Sequence, residues 1–343
     1  MHQITTAFRS SKVATLLTFA LAGLYMATAF GTHSSQQAVA LGIPKSLTTA
    51  VPEAIDPQKI AALTVPVPQI RPAGLPPVAQ PYQVDVVSLT EKWSGMSFSL
   101  NEIRLNKEVP RYFVDQIPVD ILDIQKVSTR KQVFLSVALP LILKINEDIQ
   151  EERDRLIKIV ALQSFRTELS DDNQRWLDAL AEKYEGRSDD LDDLLMRVDT
   201  IPTSLALAQS IEESGWGTSR FAREGNALFG QRVWSAGDGL VPHERAEGQS
   251  YEVKVFDQLL SSIQDYAMNL NSFHAYEEFR AERARLKDIY GTASGYALSR
   301  ALQSYSERGD AYIETLQMLI RVNDLDQFDD ARLTPEQVAQ IFN

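Results

Sequence analysis

Two adjacent carboxylates, Glu212 and Glu213, stand immediately before Ser214-Gly215-Trp216 and are the chain's clearest candidates for chemistry. The residues ahead of them read as a buried helix, because Ile201, Leu205, Leu207, Ala208 and Ile211 recur at helical spacing with Pro202 at a first-turn position. Ser214 and Gly215 stop that helix, so both acids fall in its last turn and Trp216 brings a large apolar ring beside them. A carboxylate there faces the negative end of the helix dipole, and a neighbouring indole removes water, so both effects disfavour its ionised form. A carboxyl kept neutral in this way is equipped to act as a general acid. The same position also suits two solvated surface acids, and position alone favours that reading. Nor does periodicity select Glu213: at about 3.6 residues per turn, Glu212 lies nearer the face of Ile201, Leu205 and Ala208.

The run AQSIEESGWGTSRFA followed by NALFGQ resembles the catalytic motif of the glucosaminidases of glycoside hydrolase family 73, which share a lysozyme-like helical fold. The similarity is closer to the Bax-type glucosaminidase-like proteins of Gram-negative envelopes, which pair this domain with a helical N-terminal region. In that family the glutamate directly before Ser-Gly-Trp-Gly is the acid, and the resemblance therefore implies Glu213. It also implies a late motif in which a tyrosine returns to the cleft. Leu302 to Ile313, LQSYSERGDAYI, resembles that motif, and by position the tyrosine is Tyr305. A phenol there would hold the substrate's acetamido group or a water, with a buried core tyrosine as the alternative. Trp216, Phe229, Gly230 and Gln231 are the substrate-binding candidates, with packing preferred over stacking on a sugar face for Trp216 and Phe229.

The elements that must position these groups are mainly helical. Helical periodicity breaks from Arg232 to Phe256, where Ala236-Gly237-Asp238-Gly239 is a turn signal and Tyr251, Val253 and Val255 alternate to one side, which predicts a small β-hairpin beside a cleft. A lysozyme-like enzyme would place its second carboxylate there. Asp238, Glu244, Glu247 and Glu252 are the candidates, and Glu244 is selected, although the local sequence departs from the family's threonine-any-glutamate pattern. Leu259, Leu260, Ile263, Ala267 and Leu270 then resume helical spacing. Upstream, Lys131 to Gln150 holds an apolar run, Val133 to Leu143, too short to span a bilayer and interrupted by Pro140, which predicts a buried core helix. Glu151 to Phe165 continues as an amphipathic helix, and Ser170 and Asp171 read as the cap of a helix ending near Gly186. Asp189, Asp190, Asp192 and Asp193 suit the first turn of the following helix better than a metal site, and the acids from Asp324 to Asp330 lack the glycine and terminal glutamate of a calcium loop.

Of 343 residues, 44% are hydrophobic, enough for a substantial core, and no cysteine is present to make a disulfide or thiolate metal site. A net charge of −12 argues against nucleic-acid binding. Four histidines without metal-ligand spacing predict no metal, and no cofactor is expected. At the N-terminus, Arg9 and Lys12 precede the uncharged Val13 to Phe30, which predicts export with the basic flank in the cytoplasm. An uncleaved anchor is preferred over a signal peptide, although Ala27-Thr28-Ala29 and Ala38-Val39-Ala40 both have the pattern of a cleavage site. Prolines 44, 52, 57, 66, 68, 72, 76, 77 and 81 make the following stretch a semi-rigid tether. At ~3.1 Å per residue it reaches on the order of 100 Å.

The expected organisation is therefore a cytoplasmic segment over 1–12, an anchor or signal peptide over 13–30, a proline-rich linker over 41–85, a helical domain over 86–199, a lysozyme-like catalytic domain over 200–330 and a tail over 331–343. The resemblance implies a periplasmic peptidoglycan hydrolase, tethered to the inner membrane, that cleaves β-1,4 bonds after N-acetylglucosamine, with peptidoglycan strands as its partner. Its rivals are a lytic transglycosylase, whose usual glycine-leucine-methionine-glutamine run is replaced here by NALFGQ, and a binding scaffold without turnover.

Overall fold

The computed structural model describes residues 84–335 apart from 97, 166–167, 235–236, 238, 243–244 and 246–249. The segment 13–30, nearly all of the linker, Glu244 and the end of the tail lie outside them. Among the described residues, no helix is long and apolar enough to cross a membrane.

The protein is mainly helical. Helices α1 (Val86–Gly95) and α2 (Leu100–Asn106) lead into a two-residue strand β1 (Glu108–Val109) and then helix α3 (Val127–Ser164). Asp85 opens α1 by accepting a hydrogen bond from the Ser88 amide at 2.8 Å. The segments read as Lys131 to Gln150 and Glu151 to Phe165 form the single 38-residue helix α3, which continues through Pro140 and is about 57 Å long at 1.5 Å per residue. Its residues from Val133 to Leu143 are all buried, so that stretch of α3 is wrapped on every side. Its second half turns Leu156 and Ile159 toward a smaller core shared with α4 (Asp171–Lys183) and α5 (Leu191–Arg197). Ser170 caps α4 and Asp190 caps α5, while Asp189 pairs with Arg187 and Asp193 with Arg197. Capping and ion pairing thus account for three of the four acids of that cluster.

Helix α6 (Thr203–Ser214) is central, with every residue from Thr203 to Ile211 buried. Short helix α7 (Arg220–Gly225) follows, and then strands β2 (Arg232–Val233), β3 (Gly239–Leu240) and β4 (Glu252–Lys254) form an antiparallel sheet with β4 in the middle. The register pairs Arg232 with Val253 and Gly239 with Lys254. A Cβ on Gly239 would fall 2.3 Å from the Val253 carbonyl oxygen, so only glycine permits this approach. The expected alternation holds for Tyr251 and Val253, which are buried, but not for Val255, which is 41% exposed. Glu252 is buried instead, because its carboxylate accepts hydrogen bonds from the Gly237 and Gly239 amides at 3.0 and 2.9 Å.

Helices α8 (Leu259–Ser272), α9 (Glu277–Tyr290), α10 (Gly295–Leu298) and α11 (Asp310–Val322) complete the shell, and α3, α10 and α11 pack against α6. Strand β5 (Arg332–Leu333) then pairs in parallel with β1. The main core runs from Leu89 to Leu333, so the helical N-terminal segment and the segment bearing the two acids share one apolar interior.

Candidate active site

The Ser-Gly-Trp-Gly stretch works first as a sharp stop to α6. Gly215, Trp216 and Gly217 adopt successive left-handed conformations with φ of 59°, 62° and 74°. For a tryptophan that backbone is costly, by roughly 1–2 kcal/mol. The turn is held by Ser214, whose hydroxyl donates to the Ser210 carbonyl at 2.5 Å and accepts from the Gly217 amide at 2.9 Å. Phe134 and Ile117 crowd Gly217, where a Cβ would lie 2.9 Å from Phe134. The Trp216 ring meets Phe134 edge-on with centroids 6.0 Å apart, and the Lys131 ammonium lies 4.5 Å from the ring centre. The indole of this turn is thus engaged by α3, and the abrupt end of α6 leaves Glu213 at the margin of the core.

The two acids have different surroundings. Glu212 forms an ion pair with Arg308 at 2.5 Å, and the same guanidinium donates to Thr315. Glu213 has no ion pair among the described residues, and its Oε1 accepts a 2.9 Å hydrogen bond from the Tyr312 hydroxyl. Desolvation pushes the Glu213 carboxyl up to about 8, the negative charge of Glu212 adds to this, and the Tyr312 hydrogen bond and Arg308 oppose it. Glu213 is therefore largely protonated at neutral pH, as a proton donor must be.

Tyrosines surround this carboxyl. Tyr305 is buried and stacks on Tyr312 with centroids 5.5 Å apart and planes within 8°, while Tyr276 lies 6.0 Å from Tyr305. Burial, reinforced by the Glu213 charge, raises the hydroxyls of Tyr266, Tyr276, Tyr305 and Tyr312, with Tyr276 pushed up to about 12. All four stay protonated and able to donate. Of the two tyrosines in LQSYSERGDAYI, the one bonded to Glu213 is Tyr312. Sequence reasoning passed over it, although it lies seven residues from Tyr305 in the same quoted segment. Gln209, Tyr266 and Arg308 were also missed: no local spacing joins Tyr266 or Arg308 to Glu213, whereas Gln209 lies four residues before it, one turn away on α6.

The remaining candidates occupy the adjoining loop. Phe229 is buried and stacks on Tyr266, with centroids 3.8 Å apart and planes within 7°. Gly230 has φ of 62° and open space where a Cβ would stand. Gln231 donates through Nε2 to the Ser262 carbonyl at 3.1 Å, and the Leu228 amide donates to the Ser262 hydroxyl at 3.1 Å. NALFGQ is thereby clamped to α8. Among the second-carboxylate candidates, Glu252 is committed to the hairpin amides, and Asp238, Glu244 and Glu247 lie outside the described residues. No group of three or more His, Asp or Glu among the described residues is placed to hold a metal ion.

Residues 190–325 match the family model described as glucosaminidase, mannosyl-glycoprotein endo-beta-N-acetylglucosaminidase. The chain is also 32% identical over 189 residues to the protein bax of Escherichia coli strain K12, an alignment covering 53% of this chain and 66% of that relative, just under two thirds of its length. No solved structure matches the chain. The resemblance read from the sequence is borne out by both matches.

Proposed function

We propose that this chain, a Bax-type glucosaminidase-like protein, is a peptidoglycan hydrolase that cleaves β-1,4 bonds after N-acetylglucosamine with Glu213 as general acid. The glucosaminidase domain by itself indicates activity of the glycoside-hydrolase type. The observation that carries the finer reading is the state of Glu213, a carboxyl held neutral by desolvation beside a tyrosine donor. Protonation of the glycosidic oxygen by Glu213 lets the leaving group depart as the sugar gains oxocarbenium character. Tyr312 then stabilises the carboxylate that remains, and Tyr305 is assigned to the substrate's acetamido group or to the attacking water. The second carboxylate is assigned to Glu244, in the segment that the sequence pattern reads as a hairpin. If it lies about 5 Å from the acid it would act as a nucleophile, and at ~6.5–9.5 Å as a base toward water. Export by the apolar segment 13–30 and the tether over 41–85 would carry the domain into the periplasm, anchored to the inner membrane.

A binding scaffold is the second reading, favoured by one observation: the described hairpin carboxylate, Glu252, is occupied by backbone amides. Mass spectrometry of purified peptidoglycan incubated with the protein or with Glu213→Gln separates the cases. Reducing N-acetylglucosamine ends from the wild type alone are expected. Anhydro-muramyl ends would make it a lytic transglycosylase, and binding without any product would make it a scaffold.

A further inference from the structure

Behind Glu213 runs a buried chain of hydrogen bonds in which Gln209 and Tyr266 have no assigned role. The Tyr266 hydroxyl donates to Oε1 of Gln209 at 2.7 Å, Nε2 of Gln209 donates to the Tyr312 hydroxyl at 3.1 Å, and Tyr312 donates to Oε1 of Glu213 at 2.9 Å. Gln209 and Tyr312 are fully buried and Tyr266 nearly so. Chemistry dictates the direction of this chain. An ionised Glu213 is acceptor-only, so Tyr312 must spend its single proton on it. The Tyr312 oxygen is then left as an acceptor toward Gln209, which must present its amide NH2 there and its carbonyl to Tyr266. Reversal would require Tyr312, the Gln209 amide and Tyr266 to reorient together inside the core. Gln209 lies one helical turn before Glu213 on α6, and Phe229 stacks on Tyr266 at the far end of the chain.

We propose that Gln209 is a positioning residue: anchored by Tyr266, it fixes the Tyr312 hydroxyl as a donor to Oε1 of Glu213 and so commits the acid's transferable proton to Oε2. This rests on the reading of Glu213 as general acid. An acidic proton on Oε1 would face the Tyr312 proton head-on, so the neutral acid keeps its proton on the other oxygen. Accepting a bond from Gln209 also makes Tyr312 a stronger donor, because hydrogen bonds in series polarise one another. Gln209 thus helps to stabilise the carboxylate left after proton transfer.

The test uses the full chain with Gln209→Leu, Tyr312→Phe and the double variant, and reads kcat and KM across pH together with thermal midpoints. Gln209→Leu is expected to lower kcat by ~10-fold or more with KM nearly unchanged, and to move the alkaline limb of kcat to higher pH, the direction expected for Tyr312→Phe. The double variant should be no worse than Tyr312→Phe alone. Gln209→Glu is the conservative rescue: its protonated carboxyl donates to Tyr312 and accepts from Tyr266 in the same places, so kcat should recover at acidic pH. Folded Gln209→Leu with wild-type kcat and pH profile, or additive losses in the double variant, would overturn the proposal. Carbon-13 NMR titration of the glutamate carboxyls, with Glu213 assigned by its absence in Glu213→Gln, needs no turnover. An upward shift in Gln209→Leu is expected even if the wild type proves inactive, and an unshifted Glu213 titration would sink the coupling whatever the activity.

Discussion

Tyr312 and Glu213, 99 positions apart in the chain, meet through a 2.9 Å hydrogen bond that sets Glu213 apart from its neighbour Glu212. Glu212 is held by Arg308. Glu213→Gln is therefore expected to lower kcat by roughly 10²–10⁴-fold, the usual contribution of a general acid, with the fold unchanged. Glu212→Gln should keep turnover within several-fold. Removing the Glu212 charge takes away one influence that raises Glu213, so the alkaline limb of kcat should fall to slightly lower pH. Rates and thermal midpoints of both variants on purified peptidoglycan check the pair. Active, normally stable Glu213→Gln would refute the assignment.

Tyr312 and Tyr305 stack ring on ring and should still differ in their effects. Tyr312→Phe removes a bond that favours the ionised acid, so the Glu213 pKa rises further and the alkaline limb moves to higher pH while kcat falls. Tyr305→Phe should leave that limb in place and act on KM or kcat through the substrate, as the acetamido or water role requires. The two pH profiles, measured side by side, decide between these outcomes. A shift of the limb in Tyr305→Phe alone would exchange the roles.

Much of the scaffold was legible in the sequence, because its elements signal themselves locally. The cap at Ser170, the buried run Val133 to Leu143 and the turn at Gly237 all follow from residue type and spacing. The environment of the acids was not legible, for a reason particular to α6. Face-based reasoning presumes one wet side, and α6 has none between Thr203 and Ile211. Its periodicity pointed to Glu212, whereas the group that contacts Glu213 comes from α11. Likewise Val255 was expected to share the buried side of Tyr251 and Val253. It lies just past Lys254, the last residue of β4, and is exposed, while two backbone amides across the hairpin hold Glu252 in a buried position.

The raised Glu213 pKa has a consequence for stability that is independent of turnover. In the unfolded chain the carboxyl ionises near the ordinary glutamate value of 4.5, whereas in the folded protein it is pushed up to about 8. The folded state therefore binds more protons between these values, and stability falls as pH rises through that window. The cost at the alkaline end is on the order of a few kcal/mol. Glu213→Gln cannot ionise, so it should be more stable than wild type at pH about 8–9 and little different near pH 4, with a midpoint gain of roughly 2–4 °C per kcal/mol. Thermal melts of both proteins across this range test it. Equal slopes in wild type and variant would show that the carboxyl is not desolvated.

Glu252 offers a sharp contrast between structural and catalytic carboxylates. It is buried, and its Oε2 accepts from both Gly237 and Gly239, tying the turn to the central strand of the hairpin. Truncation in Glu252→Ala leaves two backbone amides without their acceptor and should cost about 1–3 kcal/mol, with faster hydrogen exchange at Gly237 and Gly239. Glu252→Gln keeps a carbonyl oxygen in place and should retain most of both stability and turnover. Glu244→Gln, at the hairpin position assigned to the second carboxylate, should instead lower kcat without changing the thermal midpoint. If Glu252→Gln loses turnover by roughly 10²-fold at an unchanged midpoint, a loss of the size general-acid or base chemistry supplies, the second carboxylate is Glu252, and the hairpin hydrogen bonds must open when substrate binds.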